Sequence, residues 1–232
     1  MLDSEKLKKL KAVRIRRLFI ETTTGLIREY GMEGLSIRKI SEIVGYNSAT
    51  TYNYFEDLEH LITLASLKFL DAYTADLSKI MFDNMNSMER YIQVIGCFAF
   101  HSFSMPEVYY QIFYGKYSNK LSDIILEYYE IYPEELKVKH FVVRDMLFAG
   151  SMIDREHRIT EQLYQDGFIT REDQQHLVEI AISLHEYLLR QLCQAPDAYK
   201  VAEMIQRYKA CLTHVLRLMK QENTPFVVSL GK

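Results

Sequence analysis

Residues 36–55 read SIRKISEIVGYNSATTYNYF, and this stretch decides the fold of the 232-residue chain. Ser36 is a typical helix N-cap residue, and apolar residues follow it at helical spacing as far as Gly45. A glycine supplies the positive φ that a tight turn after a helix demands. We predict a second short helix from Ser48 to about Phe55. Two short helices joined by such a turn predict a helix-turn-helix.

The second helix of this pair carries small, polar and aromatic side chains with hydrogen-bonding tips. Residues 48–54 contain no acidic residue. Such a surface suits a recognition helix, whose first turn faces base edges while hydroxyl and backbone N–H groups hold phosphates. The alternative is a helical hairpin that packs and has no binding role.

Positive charge is concentrated before the helix pair. Residues 6–17 hold seven Lys or Arg and no acid, although the whole chain has a net charge of −3. Residues 6–55 carry a balance of +6, so the remainder carries −9. A basic head on an acidic body indicates a chain that meets a polyanion with one end. The alternative is a solvated helix face.

The rest of the chain also has helical periodicity, so we expect an all-α fold. Asp57 is expected to cap a long fourth helix that reaches Met81, and the break from Asn84 to Ser87 follows it. Further helices are predicted over 88–103, 106–116, 119–131, 139–165, 171–194 and 197–221, with a capping box at Thr170–Asp173. A three-helix head, residues 1–56, then joins a larger helical body, residues 57–232.

The composition excludes several classes of protein. It is 48% hydrophobic and 25% charged with only 9 Gly and 4 Pro, which excludes collagen-like and disordered chains. The N-terminus has no apolar signal region, and no apolar run approaches the length of a membrane span. Three widely spaced cysteines fit a reducing compartment. We therefore expect a cytoplasmic protein without membrane contact.

Residues 18–61 resemble the N-terminal domain of the TetR (tetracycline-repressor-type) transcriptional regulators. The resemblance depends on Leu26-Ile27-x-x-Tyr30-Gly31, on the segments 35–41 and 44–55, and on Glu59-x-Leu61. The family's hallmark is a Thr-Leu-Tyr-x-Tyr-Phe-like string, and residues 50–55 read TTYNYF. The resemblance implies a homodimeric, ligand-responsive DNA-binding regulator, a repressor that a small effector releases from a near-palindromic operator in double-stranded DNA.

The resemblance also implies roles for single residues of the head. Ser36 and Arg38 would touch the DNA backbone or a nearby base. Thr50 and Tyr54 would bind phosphate. The major groove would receive Tyr46, Asn47, Ser48, Ala49, Tyr52 and Asn53. The core would hold Ile40, Val44, Phe55 and Leu61.

One departure from the family pattern keeps an alternative function open. The family usually has a phosphate-binding lysine near the position of Leu58. With leucine there, the chain could instead be a TetR-like dimer with weakened DNA binding that acts as a protein-interaction module. A strong salt dependence of binding separates the two, because phosphate contacts release counterions.

The two C-terminal helices, about 171–194 and 197–221, carry broad apolar stripes. In the resembled family, two helices from each chain form a four-helix dimer interface. A dimer also fits two half-sites about 34 Å apart on DNA. The alternative is that both stripes belong to the core of one chain.

Aromatic residues are concentrated in residues 91–148, which hold 14 of the 29 Tyr and Phe residues. In the resembled family this region encloses the effector pocket, although a packed core has the same composition. We expect an apolar or aromatic effector, with Met81, Met105, Met146 and Met152 as deformable lining and His140 as a further polar anchor. The candidate pocket residues are Phe100, His101, Tyr110, Phe113, Tyr114, Tyr128, Phe141, Arg144, Asp145 and Phe148.

Catalytic and metal-binding patterns point to neither an enzyme nor a cofactor. The chain has no Gly-rich phosphate loop, no His-Glu-x-x-His and no Gly-x-Ser-x-Gly. Asp154, His157 and Glu161 share a helix face and could ligate a metal. We instead expect ion pairs with Arg155 and Arg158, because a metal site takes ligands from more than one element.

Overall fold

A computed structural model describes residues 4–82, 84–137 and 141–220 of the chain. Over these residues it contains thirteen α-helices and no strand, which confirms the all-α prediction. The helices are α1 Ser4–Tyr30, α2 Ile37–Val44, α3 Ser48–Thr51, α4 Leu58–Ser66, α5 Leu70–Phe82, α6 Ser87–Ser104, α7 Pro106–Phe113, α8 Leu121–Ile131, α9 Pro133–Lys137, α10 Phe141–Leu147, α11 Met152–Gln165, α12 Arg171–Gln194 and α13 Val201–Met219.

The first three helices pack together along the apolar face of α1, which also packs against α4. Phe19 and Ile20 of α1 are fully buried and lie in one core with Ile40 of α2 and Phe55 after α3. Phe19 and Phe55 meet edge to face, with ring centroids 5.8 Å apart. Because these side chains come from α1, α2 and the segment after α3 and share one buried cluster, their burial fixes the three helices against one another.

Two predicted helices are interrupted. The fourth helix contains a 3-10 turn at Leu67–Phe69, so it divides into α4 and α5. The predicted helix 139–165 divides into α10 and α11. Ser151 opens α11 with a capping box that it shares with Asp154. An N-cap residue has extended backbone, so the helix cannot run through this position.

The body is built around α6, which packs against α5, α7, α11, α12 and α13. The predicted capping box at the start of α12 is present, between Thr170 and Asp173. Tyr91 and Phe103 of α6 are fully buried. Because other helices cover α6 on most sides, its buried side chains form the centre of the core of the body.

No helix within the described residues is both long enough and apolar enough to cross a membrane.

Candidate nucleic-acid interface and ligand cavity

The turn between α2 and α3 is built from local hydrogen bonds. Gly45 ends α2 with φ of 81° in the left-handed region. The backbone N–H of Tyr46 donates to the Ser41 carbonyl at 2.9 Å. Asn47 then caps α3, and its Oδ1 accepts from the backbone N–H and the hydroxyl of Thr50, both at 2.8 Å. The turn therefore sets the direction of α3 relative to α2.

A buried contact holds α3 against α2. The hydroxyls of Ser41 and Thr51 lie 2.7 Å apart and are shielded from solvent. The ring of Tyr46, in the turn, packs against the ring of Phe19 in α1, with ring centroids 5.8 Å apart. A satisfied hydrogen bond inside an apolar core specifies one arrangement, since any shift leaves a polar group unpaired.

The outer surface of this unit is polar and carries the predicted contact residues. Tyr52 is 58% exposed. Arg38, Asn47, Ala49 and Asn53 are also exposed, whereas Ser36, Tyr46, Ser48, Thr50 and Tyr54 are half-buried. The helix α3 ends at Thr51 instead of continuing to about Phe55, and residues 52–54 form a turn. The structure thus brings all ten predicted DNA-contact residues onto α2, α3 and the adjoining turns.

The basic N-terminal segment divides into two parts. Lys6, Lys8, Lys9 and Lys11 are exposed on the first turns of α1. Arg16 and Arg17 instead reach the body: Arg16 pairs with Glu127, and Arg17 pairs with Glu134. Arg14, between these two parts, is also exposed, so the positive charge that α1 and α2 offer to a polyanion includes the four lysines, Arg14 and the α2 surface.

A small cavity of about 30 Å³ lies inside the body between α6, α11, α12 and neighbouring helices. A second cavity of about 190 Å³, the outer cavity, has exposed side chains such as Asp145 and Arg158 in its wall and shares Val94, Met146 and Ile159 with the first, or inner, cavity. The inner cavity is lined by Tyr73, Val94, Ile95, Phe98, Met146, Met152, Arg155, Glu156, Ile159, Ile182, His185 and Tyr208. An apolar wall with a few polar groups is the usual composition of a small-molecule site.

His185 is fully enclosed on this wall and is neutral. The hydroxyl of Ser102 donates to the Ala99 carbonyl, so its oxygen accepts from Nε2 of His185 at 2.8 Å. The hydroxyl of Tyr114 then donates to Nδ1 at 2.8 Å. Burial lowers the pKa of His185 to about 3, because no carboxylate compensates a charge there.

Glu156 faces the same cavity from α11. The hydroxyl of Tyr91 donates to its Oε1 at 2.7 Å. Burial raises the pKa of Glu156 to about 7, and the hydrogen bond from Tyr91 opposes that shift. Near neutral pH this carboxyl group is therefore protonated in a large fraction of the molecules.

Arg155, the preceding residue, is only 6% exposed. Its Nη2 donates to the Leu147 carbonyl at 2.8 Å, and its guanidinium lies 5.0 Å from the centre of the Phe113 ring. Its Nε is buried and has no hydrogen-bond partner. Burial lowers its pKa to about 10, which leaves the group charged at neutral pH.

The structure scatters the predicted effector-pocket residues. Asp145 lines the outer cavity. Phe113 and Tyr114 lie behind the inner wall, in contact with Arg155 and His185. The other predicted residues lie elsewhere. Phe100, which is 54% exposed, and Arg144 face solvent. His101 pairs with Asp76, the Tyr110 hydroxyl accepts a hydrogen bond from Arg190, the Tyr128 hydroxyl donates one to Glu135, and the ring of Phe148 packs against that of Tyr129. His140 and the side chain of Phe141 lie outside the described residues.

The polar groups of the cavity were missed because they lie in a strongly polar segment, DREHR at 154–158. The expected ion pairs within that segment are wrong in their partners: Arg158 pairs with Asp145, and Glu161 pairs with Arg171 at 2.6 Å. The described residues hold no group of His, Cys, Asp or Glu arranged for a metal ion. Of the predicted methionines, Met146 and Met152 line the inner cavity and Met81 the outer one.

The C-terminal helices keep an apolar surface after the core is filled. Leu188 and Leu212 are buried between α12, α13 and the body. Ile180 and Tyr187 of α12 remain exposed, as does Leu218 of α13. The guanidinium of Arg207 lies 5.9 Å from the centre of the Tyr187 ring, which joins the two helices on this side.

No family model matches the sequence, and no curated protein sequence matches it. The fold, by contrast, has clear relatives among solved structures. A TetR-family transcriptional regulator from Syntrophomonas wolfei superposes with a TM-score of 0.55 at 17% identity, over 88% of this chain and 95% of its own. At such low identity the likeness establishes the fold.

Two further relatives were solved with a bound small molecule. FadR of Thermus thermophilus, a TetR-family repressor in complex with lauroyl-CoA, has a TM-score of 0.59 at 13% identity, over 91% of this chain and all of its own. RolR in complex with resorcinol has a TM-score of 0.60 at 15% identity, over 92% and 91% of the two chains. The chain thus has the fold of TetR-family transcriptional regulators.

Proposed function

We propose that this chain is a homodimeric DNA-binding transcriptional regulator of the TetR type, a repressor that a small apolar or aromatic effector releases from its operator. It would act in the cytoplasm, with residues 1–56 as the DNA-binding domain and residues 57–232 as the effector-binding and dimerisation domain. The observation that carries the proposal is the polar, acid-free surface of α3 and its flanking turns, held rigidly by α2.

Direct contact with DNA is supported by the groups this surface presents. Oδ1 of Asn47 is engaged by Thr50, so its amide nitrogen is the group left to donate to a base edge. Tyr52 and Asn53 are exposed on the turn after α3, and Arg38 adds positive charge from α2. Phosphate contacts position a protein on DNA, and base-edge contacts of this kind specify the sequence.

The position of Leu58 does not remove this support. Leu58 is half-buried and packs against the core, where it helps to anchor the start of α4. The exposed lysines at 6–11 supply positive charge that a lysine at this position would otherwise provide. Each phosphate contact adds a similar increment to the salt dependence of DNA binding, wherever on the protein the contacting residue lies.

An effector site in the body is supported by the two adjoining cavities beside α6. Their walls combine apolar side chains with the enclosed polar groups of Arg155, Glu156 and His185. Met146 and Met152 are deformable, so the cavities can adapt to a ligand larger than their present volume.

Transmission of an effector signal to the head is supported by the contacts that α4, the first helix of the body, makes with α7 and α8. Gln111 of α7 donates from Nε2 to the Thr63 hydroxyl of α4 at 3.0 Å. His60 of α4 lies 3.1 Å from Glu127 of α8. A ligand that favours one arrangement of these helices shifts the position of the heads only by its difference in affinity for the two states.

The proposal is tested by selecting bound duplexes from a random DNA pool and repeating the binding at two salt concentrations. We expect a near-palindromic motif and steep salt dependence. Asn47→Ala and Tyr52→Ala should abolish enrichment, while Tyr164→Ala, an exposed tyrosine on α11, should leave it unchanged. Absence of any motif, with weak binding at both salts, would overturn the proposal.

A further inference from the structure

The buried guanidinium of Arg155 has no carboxylate partner among the described residues. Its side chain is enclosed by Leu147, which accepts one hydrogen bond, and by the face of Phe113. The Nε donor remains unpaired inside the protein. A buried charge normally has a counterion with good hydrogen-bond geometry, because removing it from water is costly. The guanidinium of Arg155 therefore keeps one buried donor that can hydrogen-bond to an anion.

The rest of the inner cavity wall supplies no such anion. Glu156 is its one carboxyl group, and that group already accepts from Tyr91. His185 is neutral because burial lowers its pKa, and both of its ring nitrogens are engaged, by Tyr114 and Ser102. The remaining lining residues are aromatic, aliphatic or methionine side chains. The inner cavity thus presents one guanidinium without an ion-pair partner among the described residues, beside one carboxyl group that Tyr91 already engages.

The sizes of the two cavities limit the ligand. The inner cavity of about 30 Å³ holds a group of one or a few atoms. The outer cavity of about 190 Å³ exceeds the roughly 150 Å³ of an apolar cavity that binds benzene. Val94, Met146 and Ile159 line both cavities, so the two are neighbours, and a shift of the deformable Met146 side chain would let a single molecule place a ring in the outer cavity and a small group in the inner one.

We propose that the ligand of this pocket is a one-ring organic anion, an aromatic carboxylate, whose carboxylate binds Arg155 in the inner cavity while its ring fills the outer cavity. This inference rests on the proposed function only in taking the cavity as the effector site. A planar carboxylate matches the fork of donors on a guanidinium, and a single Arg compensates a single negative charge.

The test is calorimetric titration of the purified full-length protein, without DNA, with benzoate and with its neutral analogue benzamide. We expect benzoate to bind at least about tenfold more tightly, since charge-assisted hydrogen bonds are roughly twice as strong as neutral ones. Equal affinities, or no benzoate binding, would overturn the inference. Octanoate binding more tightly than benzoate would overturn the one-ring part of it.

Two variants locate the anion. Arg155→Met should remove the preference for benzoate over benzamide, while Arg190→Met, at an exposed arginine of α12 that lines neither cavity, should change benzoate affinity by less than about threefold. Retention of the preference in Arg155→Met would overturn the assignment. If Arg155→Met fails to fold, Arg155→Lys keeps the charge but removes the fork, so a reduced preference supports the assignment and an unchanged one contradicts it.

Failure of the inference and failure of the proposed function give different results. Benzoate binding that leaves DNA binding unchanged would support the ligand class and contradict its role as effector. Sequence-specific DNA binding without benzoate binding would support the regulator and contradict the ligand class.

Discussion

Nε of Arg17, in the first helix, donates to the backbone carbonyl of Ile131 at a distance of 2.8 Å, across 114 residues of sequence. The same guanidinium pairs with Glu134, and its central carbon lies 4.7 Å from the centre of the Tyr132 ring. Arg16 beside it pairs with Glu127. The charge of these two arginines is thus used to join the head to the end of α8.

The first prediction concerns which basic residues of α1 meet DNA. Lys8→Ala combined with Lys11→Ala should weaken the salt dependence of DNA binding. The plot of log affinity against log salt concentration should become less steep by about 1 for each phosphate that the variant no longer neutralises. Arg17→Ala should leave that slope unchanged, because its guanidinium is occupied by Ile131 and Glu134. Operator binding measured between about 50 and 200 mM salt compares the variants. A slope reduced by Arg17→Ala as much as by the lysine pair would contradict this division of the basic segment.

A second prediction concerns the hydrogen bond inside the helix pair. Thr51→Val leaves the Ser41 hydroxyl buried without its partner, which should lower the free energy of unfolding by about 1–3 kcal/mol. The double variant with Ser41→Ala removes both polar groups and should recover most of that decrease. Denaturant unfolding of the wild type, both single variants and the double variant measures the coupling. Additive decreases would show that the two hydroxyls do not stabilise each other.

The head could be predicted from sequence because its signals are local. Ser36, Gly45 and Asn47 each fix the backbone within a few residues, and the structure shows two side-chain N-caps and a positive φ at these positions. Such signals act within one turn of helix and survive in any tertiary context. The break in residues 139–165 was equally local, at the Ser151 cap, but the polar residues around it concealed it.

The cavity could not be predicted because its polar groups are buried by distant elements. Arg155 and Glu156 lie in a helix of low mean hydropathy, and such a sequence is typical of a solvated face. They are enclosed only because α6 and α12 pack over α11. Phe100 is the opposite case, an aromatic residue that was expected in the pocket but is exposed. It lies outside the buried stripe of its apolar helix.

The third prediction separates two glycines that differ in backbone conformation. Gly45→Ala should lower the free energy of unfolding by about 1 kcal/mol, because φ is 81° there although the added methyl group meets no neighbour. Gly25→Ala should raise it by about 1 kcal/mol, since Gly25 lies within α1 and open space surrounds its Cα. Thermal unfolding of both variants tests the pair. A decrease at both positions would show that crowding and not φ controls them.

The fourth prediction is the pH dependence contributed by Glu156. Its pKa is raised to about 7 in the folded protein, so the folded state holds a proton that the unfolded state releases above its ordinary value of 4.5. The corresponding stability is present below pH 4.5 and is lost as the pH rises through 7. At about 1.4 kcal/mol for each pKa unit, the contribution is at most about 3 kcal/mol.

His185 contributes the opposite slope. Its pKa is lowered to about 3, so its stability is present above pH 6.5 and is lost as the pH falls toward 3. The two effects oppose each other between pH 4.5 and 6.5, which should flatten the profile of the wild type there. Glu156→Gln should expose the His185 slope, so that its stability falls steadily as the pH is lowered from 6.5. Urea unfolding at several pH values measures this, and a variant profile parallel to the wild type would contradict the raised pKa.

The last prediction concerns assembly through the outer face of α12 and α13. Ile180 and Tyr187 lie seven residues apart on α12, and Cys211 and Leu218 have the same spacing on α13, so each pair shares one face of its helix. Exposed apolar side chains grouped in this way are typical of a protein–protein interface. We expect the chain to be a dimer in solution, and Ile180→Glu combined with Leu218→Glu to yield a folded monomer, because two identical faces would then bury four like charges. Leu126→Glu, at an exposed leucine of α8, is the matched control and should leave the dimer intact. Sedimentation velocity distinguishes the species: a dimer that persists in the double variant would place the interface elsewhere, and a monomeric variant should also bind its operator with lower affinity, since two heads would no longer engage the two half-sites together.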